Sequence, residues 1–189
     1  IMQWVEGDSL RDRMSCTPKE FLWYILHLAE ILKQLHAMHI YHKDIKPENV
    51  IIKGDDVRLI DFNISLSLPN TIEGTPNYVA PEMKSLSGEV RRKYCDVFAL
   101  GVMLYEYFAG EVPKNGKHYV EDRMNPENPQ WRKYISAKET AASNHKSEVS
   151  DEIDCIITKC MCKEPTRRYG DMTSFIRDLR KAMRGKNDR

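Results

Sequence analysis

The octapeptide His42-Lys43-Asp44-Ile45-Lys46-Pro47-Glu48-Asn49 decides how this chain is read. Asp44, Lys46 and Asn49 fall on a loop just before two short β-branched runs, Val50-Ile51-Ile52 and Val57-Arg58-Leu59-Ile60. Lys53-Gly54-Asp55-Asp56 lies between the runs and reads as a hairpin turn. Asp61 then returns from the far strand to the edge where the octapeptide sits. An acceptor, a cation, an amide and a second carboxylate converge there. Such a group suits positioning a hydroxyl nucleophile and binding Mg²⁺ beside a polyphosphate.

Outside this hairpin the text is helical. Thr17-Pro18-Lys19-Glu20 has the form of a capping box with proline at the first helical position. Phe21, Ile25, Leu28, Leu32 and Leu35 follow at spacings of four and three, which predicts one buried face ending near Met38. Cys95 to Ala109 is apolar nearly all round and predicts a buried central helix stopped by Gly110. Ser150-Asp151-Glu152 opens a helix with Ile153, Ile156, Ile157 and Cys160 inward, and Asp171 caps a last one carrying Phe175, Ile176, Leu179 and Met183. Asp8 to Met14 predicts one or two helical turns, and Trp131 to Lys138 a short helix. Asp61 to Glu82 and Pro113 to Pro129 read as loops, and Gly185 to Arg189 as a fraying end.

The bulk composition excludes several classes. With 189 residues and 41% hydrophobic content the chain is one domain or one large lobe with a real core. A net charge of +1 gives no global field for nucleic acid or an anionic membrane. No apolar run approaches the roughly 20 residues of a membrane span. The five cysteines are odd in number and lack metal-ligand spacing, so reduced thiols in a cytoplasmic protein are expected.

The octapeptide closely resembles the catalytic loop of eukaryotic-type Ser/Thr protein kinases, and Asp61-Phe62-Asn63 resembles their metal-binding motif. Gly74-Thr75-Pro76-Asn77-Tyr78-Val79-Ala80-Pro81-Glu82 is similar to the end of a kinase activation segment. Tyr94 to Val102 looks like the central helix, Lys163 to Arg168 like the arginine motif that pairs with the Ala-Pro-Glu glutamate, and Met2 to Gly7 like the hinge. The resemblance implies a mainly α fold, a kinase C-lobe with a small β-hairpin carrying the catalytic loop. It implies a hinge at 1–7, a lobe at 8–185, a catalytic loop at 42–49, a metal motif at 61–63, an activation segment at 61–82 and a frayed tail at 186–189. Catalysis would fall to Asp44 as hydroxyl-orienting base and Lys46 as the phosphoryl cation, with Asn49 and Asp61 on the metal. The ATP-hinge set would be Met2, Gln3, Val5 and Ile51. Thr71, Thr75 and Lys43 would belong to activation. Structural roles would fall to His42 stacked on Phe62, Asp96 bracing the catalytic loop, and Glu82 paired with Arg168. The implied cofactors are ATP and Mg²⁺, and the implied partner is a protein bearing a Ser or Thr acceptor.

Three departures qualify this. Asn63 stands where glycine is usual, but Asn best tolerates positive φ, at a cost of about 1 kcal/mol. Lys43 replaces arginine and loses a bidentate fork, so its expected pairing with phosphorylated Thr71 rests on a point charge. The nine glycines include no glycine-rich loop, and no lysine-bearing strand precedes the hinge. The expectation is therefore a C-lobe without its N-lobe, inactive in isolation, with ATP and Mg²⁺ used only with a complete N-lobe. The alternative is a natural half-kinase or pseudokinase, a docking or regulatory module whose exposed hinge side invites the missing lobe, a partner kinase or a homodimer. Glu48 and Asp8 point to a basic residue N-terminal to the target, by charge complementarity.

Overall fold

The computed structural model describes residues 5–62, 75–84, 92–113 and 150–184. Met2, Gln3, Asn63, Thr71, nearly all of the Pro113 to Pro129 stretch, the Trp131 to Lys138 segment and the stretch from Gly185 to Arg189 lie outside them. Among the described residues, four α-helices and a small antiparallel sheet make up most of the regular structure: β1 (Asp8–Ser9), α1 (Pro18–Ala37), β2 (Val50–Lys53), β3 (Asp56–Leu59), α2 (Arg92–Ala109), α3 (Asp151–Cys160) and α4 (Met172–Arg184). The fold is mainly α, as the helical periodicity requires.

Local chemistry sets the helix ends. Thr17 Oγ1 accepts from the Glu20 amide at 3.3 Å while Glu20 Oε2 accepts from the Thr17 amide at 2.9 Å, so the capping box at the start of α1 is complete. Ser150 caps α3 through the Ile153 amide, and Asp171 Oδ1 accepts from the Ser174 amide at the start of α4. Gly110, at φ 77°, closes α2 by donating to the Glu106 carbonyl.

The sheet has one strand more than the hairpin read from the sequence. β2 and β3 pair from Val50↔Leu59 to Lys53↔Asp56, which tightens the turn to Gly54-Asp55. β1 adds on the other side with Asp8↔Ile52 and Ser9↔Ile51. Asp8 to Met14 is thus not helical from its start. A two-residue strand carries no periodicity, and its pairing is decided by contact with β2. The expected turns begin only afterwards, with Arg13 donating to the Leu10 carbonyl and Cys16 to that of Arg13. Gly7 makes the approach possible. A Cβ on it would lie 2.6 Å from the Ile52 carbonyl oxygen and 2.7 Å from Ile51 Cγ2.

α2 is the axis of the core, with every side chain from Tyr94 to Phe108 buried, Asp96 and Glu106 included. Phe21 of α1 stacks on Tyr107 at 3.8 Å between ring centroids. Gly101 lets α2 approach the end of α3, where a Cβ would meet Cys160 Cβ at 2.6 Å and Met161 Cγ at 2.8 Å. α4 packs on α1 and α3 through Phe175, Ile176 and Leu179. All five cysteines are free thiols, and burial pushes Cys95 and Cys160 well up in pKa, away from reactivity. Among the described residues no helix is long and apolar enough to cross a membrane.

Candidate active site

The octapeptide leaves α1 and runs beneath α2 before entering the sheet. Two of its amides end on one buried carboxylate: His42 N–H donates to Asp96 Oδ2 at 3.0 Å and Lys43 N–H to Asp96 Oδ1 at 2.8 Å. His36, from the last turn of α1, meets the same carboxylate through Nε2 at 2.8 Å. Burial drives the Asp96 carboxyl up in pKa, but the His36 bond and the two amides outweigh it and hold the net value below the ordinary carboxylate range. Lys43 adopts φ 68°, a left-handed conformation costing on the order of 1 kcal/mol or more, and the Asp96 bonds on both sides of that turn over-determine it.

His42 is a spacer between two segments. Its Nδ1 accepts the Asp44 amide at 3.3 Å, which fixes the ring proton on Nε2, and Nε2 donates to the Ile60 carbonyl at 2.9 Å. The ring also meets Phe62 edge-on, with centroids 4.9 Å apart. Ile60 N–H in turn donates to the Asn49 carbonyl at 2.9 Å. The end of β3 is thereby stitched to both ends of the octapeptide, and Asp61 follows directly on that seam. Asp61 is exposed and adopts φ 66°. In this turn the left-handed residue among those described is Asp61.

Asp44 is the centre of the cluster and is 5% exposed. Its Oδ1 accepts from the Thr75 amide at 2.9 Å and the Thr75 hydroxyl at 3.0 Å. Its Oδ2 faces Lys46 Nζ at 3.0 Å and the Asn49 amide at 3.2 Å. Lys46 Nζ also donates to Thr75 Oγ1 at 2.8 Å. Desolvation raises the Asp44 carboxyl, but Lys46 and the two Thr75 donors more than offset it, so its pKa lies below the ordinary value. At neutral pH Asp44 is therefore an ionised acceptor, ringed by donors.

Asn49 spends its amide N–H groups on Asp44, at 2.9 Å to the backbone carbonyl and 3.2 Å to the carboxylate. The atom it offers outward is its carbonyl oxygen. With Asp61 this makes a set of two hard oxygen donors. That set fits Mg²⁺, which keeps waters and takes the rest of its shell from phosphates. Among the described residues no cluster of three or more His, Cys, Asp or Glu could hold a metal by itself.

Of the remaining predicted positions, Glu82 and Arg168 form a buried bidentate pair at 2.6 and 2.7 Å. Ile51 is buried on β2 against Gly7, and Val5 is half-buried at the edge of the described segment. Thr75 does more than sequence reasoning assigned to it, since it closes the acceptor cluster. His36, Arg11, Tyr78 and Glu106 were not singled out. His36 meets Asp96 across 60 residues, and Arg11 meets Glu106 across 95, so no local pattern marks them. The two carboxylates read as attracting a basic peptide residue already have internal cations: Glu48 bonds Arg11 at 2.7 Å and Asp8 bonds Arg13 at 2.8 Å.

The protein kinase domain family model matches residues 1–179. The serine/threonine-protein kinase PrkC of Bacillus subtilis (strain 168) is 27% identical over 96% of this chain, which spans 28% of PrkC. The serine/threonine-protein kinase PknB of Mycolicibacterium smegmatis (strain ATCC 700084 / mc(2)155) is 28% identical over 95% of this chain, which spans 29% of PknB. The chain thus covers a little over a quarter of the length of these relatives.

Proposed function

The chain belongs to the protein kinase domain family, and on that premise we propose that it carries the acceptor-side machinery of a Ser/Thr protein kinase. The proposed reaction moves the γ-phosphoryl group of ATP to a Ser or Thr hydroxyl of a protein. The observation that carries this reading is the closed ring of Asp44, Lys46 and Thr75, with Asn49 bonded to Asp44.

The roles follow from the donors and acceptors. An incoming hydroxyl donates to Asp44, whose ionised state suits it to orient the oxygen and take its proton. The oxygen attacks the γ-phosphorus, the bond from that phosphorus to the leaving ADP oxygen breaks, and the proton passes to Asp44. Lys46 already lies between Asp44 and Thr75, where its charge answers the negative charge spread over the transferring group. Bound at Asn49 and Asp61, Mg²⁺ would neutralise the polyphosphate. His42, Asp96 and His36 touch no substrate in this scheme and position the loop.

The 189 residues contain no glycine-rich phosphate-covering segment, so in the proposed scheme this polypeptide by itself is inactive, and the assay is made on the protein as the cell produces it. That protein, incubated with γ-labelled ATP, Mg²⁺ and a mixture of Ser, Thr and Tyr peptides, should yield phosphoserine and phosphothreonine. Asp44→Asn should lower the rate by about 10² to 10⁴. No transfer by the wild-type protein, label on tyrosine alone, or full activity in Asp44→Asn would each refute the assignment.

A further inference from the structure

Each of the three guanidinium nitrogens of Arg11 donates to a different part of the chain. Nε donates to Glu48 Oε1 at 2.7 Å, Nη1 to Glu106 Oε1 at 2.6 Å and Nη2 to the Tyr78 hydroxyl at 2.7 Å. The Tyr78 hydroxyl donates to the other Glu106 oxygen. Glu48 directly precedes Asn49, which bonds Asp44, and Tyr78 lies three residues after Thr75, which also bonds Asp44. Two carboxylates from different parts of the chain, one of them beside the acceptor loop in sequence, therefore meet one guanidinium that sits between them. The place is reachable from solvent, since the Arg11 and Glu48 side chains are 35% and 46% exposed.

Two facing carboxylates are a binding site for a cation, and bidentate guanidinium recognition is the strongest form of it. Here that cation is the chain's own. Glu48 and Glu106 supply two negative charges and Arg11 one positive, so the net local charge is halved, and both Glu106 oxygens are already bonded. We propose that Arg11 is a specificity-determining residue that occupies the subsite a basic peptide side chain would fill. The wild-type site then has little preference for a basic residue beside the acceptor, and loss of Arg11 creates one. This inference rests on the kinase reading above, and it reverses the expectation that Glu48 recruits a basic peptide residue.

The test uses the full-length protein and paired peptides around one acceptor Ser, each pair differing by Arg against norleucine at a single position up to four residues on either side. The readouts are the Arg-to-norleucine ratio of kcat/KM and, without ATP, the ratio of peptide affinities by fluorescence anisotropy. Wild type should stay within about threefold of unity at every position. Arg11→Met should raise the ratio about tenfold at one position or more, through KM and affinity and not kcat, and Glu48→Gln added to Arg11→Met should remove the gain. Glu48→Gln alone leaves Arg11 less compensated and should push the ratio below one, which provides a second test where Arg11→Met does not fold. An unchanged ratio in either single variant overturns the proposal, as does a wild-type preference for Arg above tenfold. A wild-type protein with no phosphotransfer would defeat the kinase reading, while the anisotropy ratios would still decide the role of Arg11.

Discussion

Glu82→Gln is the most revealing single perturbation of this fold, because it changes one charge at a place where water cannot compensate. Arg168 is 3% exposed and Glu82 9%. The pair is bidentate, at 2.6 and 2.7 Å, and Arg168 also donates to the carbonyls of Cys162 at 2.7 Å, Tyr94 at 3.2 Å and Lys163 at 3.4 Å, with its guanidinium over the Phe98 ring. Removing one partner of a buried pair costs about 3–5 kcal/mol, since it strands the other charge. The glutamine keeps one acceptor oxygen but turns an NH₂ toward the second guanidinium nitrogen. The three carbonyls and the ring still solvate Arg168, so the cost should sit at the lower end, about 3 kcal/mol. For a domain of this size that is a fall of about 6–12 °C in the thermal midpoint. Arg168→Met should cost more, because it takes the donor from three carbonyls as well as the guanidinium from Glu82. Glu82→Leu with Arg168→Met removes both charges but still strands those carbonyls, so it should recover only part of the loss. Circular dichroism melts of the four proteins test this order directly. A fall of less than 2 °C for Glu82→Gln, or a double variant as stable as wild type, would show that the pair does not hold the segment after Thr75 to α2.

Three further outcomes follow from the site. Asp96 has a depressed pKa in the folded state, so its contribution is complete above the unfolded value of about 4 and is lost as pH falls through the folded value. Asp96→Asn should cost about 2–3 kcal/mol at pH 7 and flatten the fall in melting temperature below about pH 4; an acid limb identical to wild type would contradict this. Thr75→Val removes the hydroxyl bonds to Asp44 and Lys46 and spares the backbone bond. It should lower kcat about tenfold in initial-rate assays of the full-length protein, and an unchanged kcat would remove Thr75 from the acceptor cluster. Gly101→Ala places a methyl 2.6 Å from Cys160 Cβ and should destabilise by about 1–3 kcal/mol, read as a lower denaturant midpoint; no change would mean that α2 and α3 separate at little cost.

What the sequence determined by itself is whatever depends on near neighbours. The capping box at Thr17, the stop at Gly110 and the all-round apolar character of α2 are local, and each appears where its residues place it. The order Asp44, Lys46, Asn49, Asp61 was also legible, because those residues lie on one loop and hairpin. Tertiary structure decided what depends on residues brought together from afar. Asp8–Ser9 is a strand only because β2 offers it a partner. Asp44 is enclosed because Thr75, 31 residues on, meets it. Glu48 is paired with an internal arginine, because Arg11 reaches both it and Glu106, 95 residues on. Periodicity encodes which face is buried, but the partner of a charged group is set by chain packing, and that sets its pKa and the charge left over for a ligand.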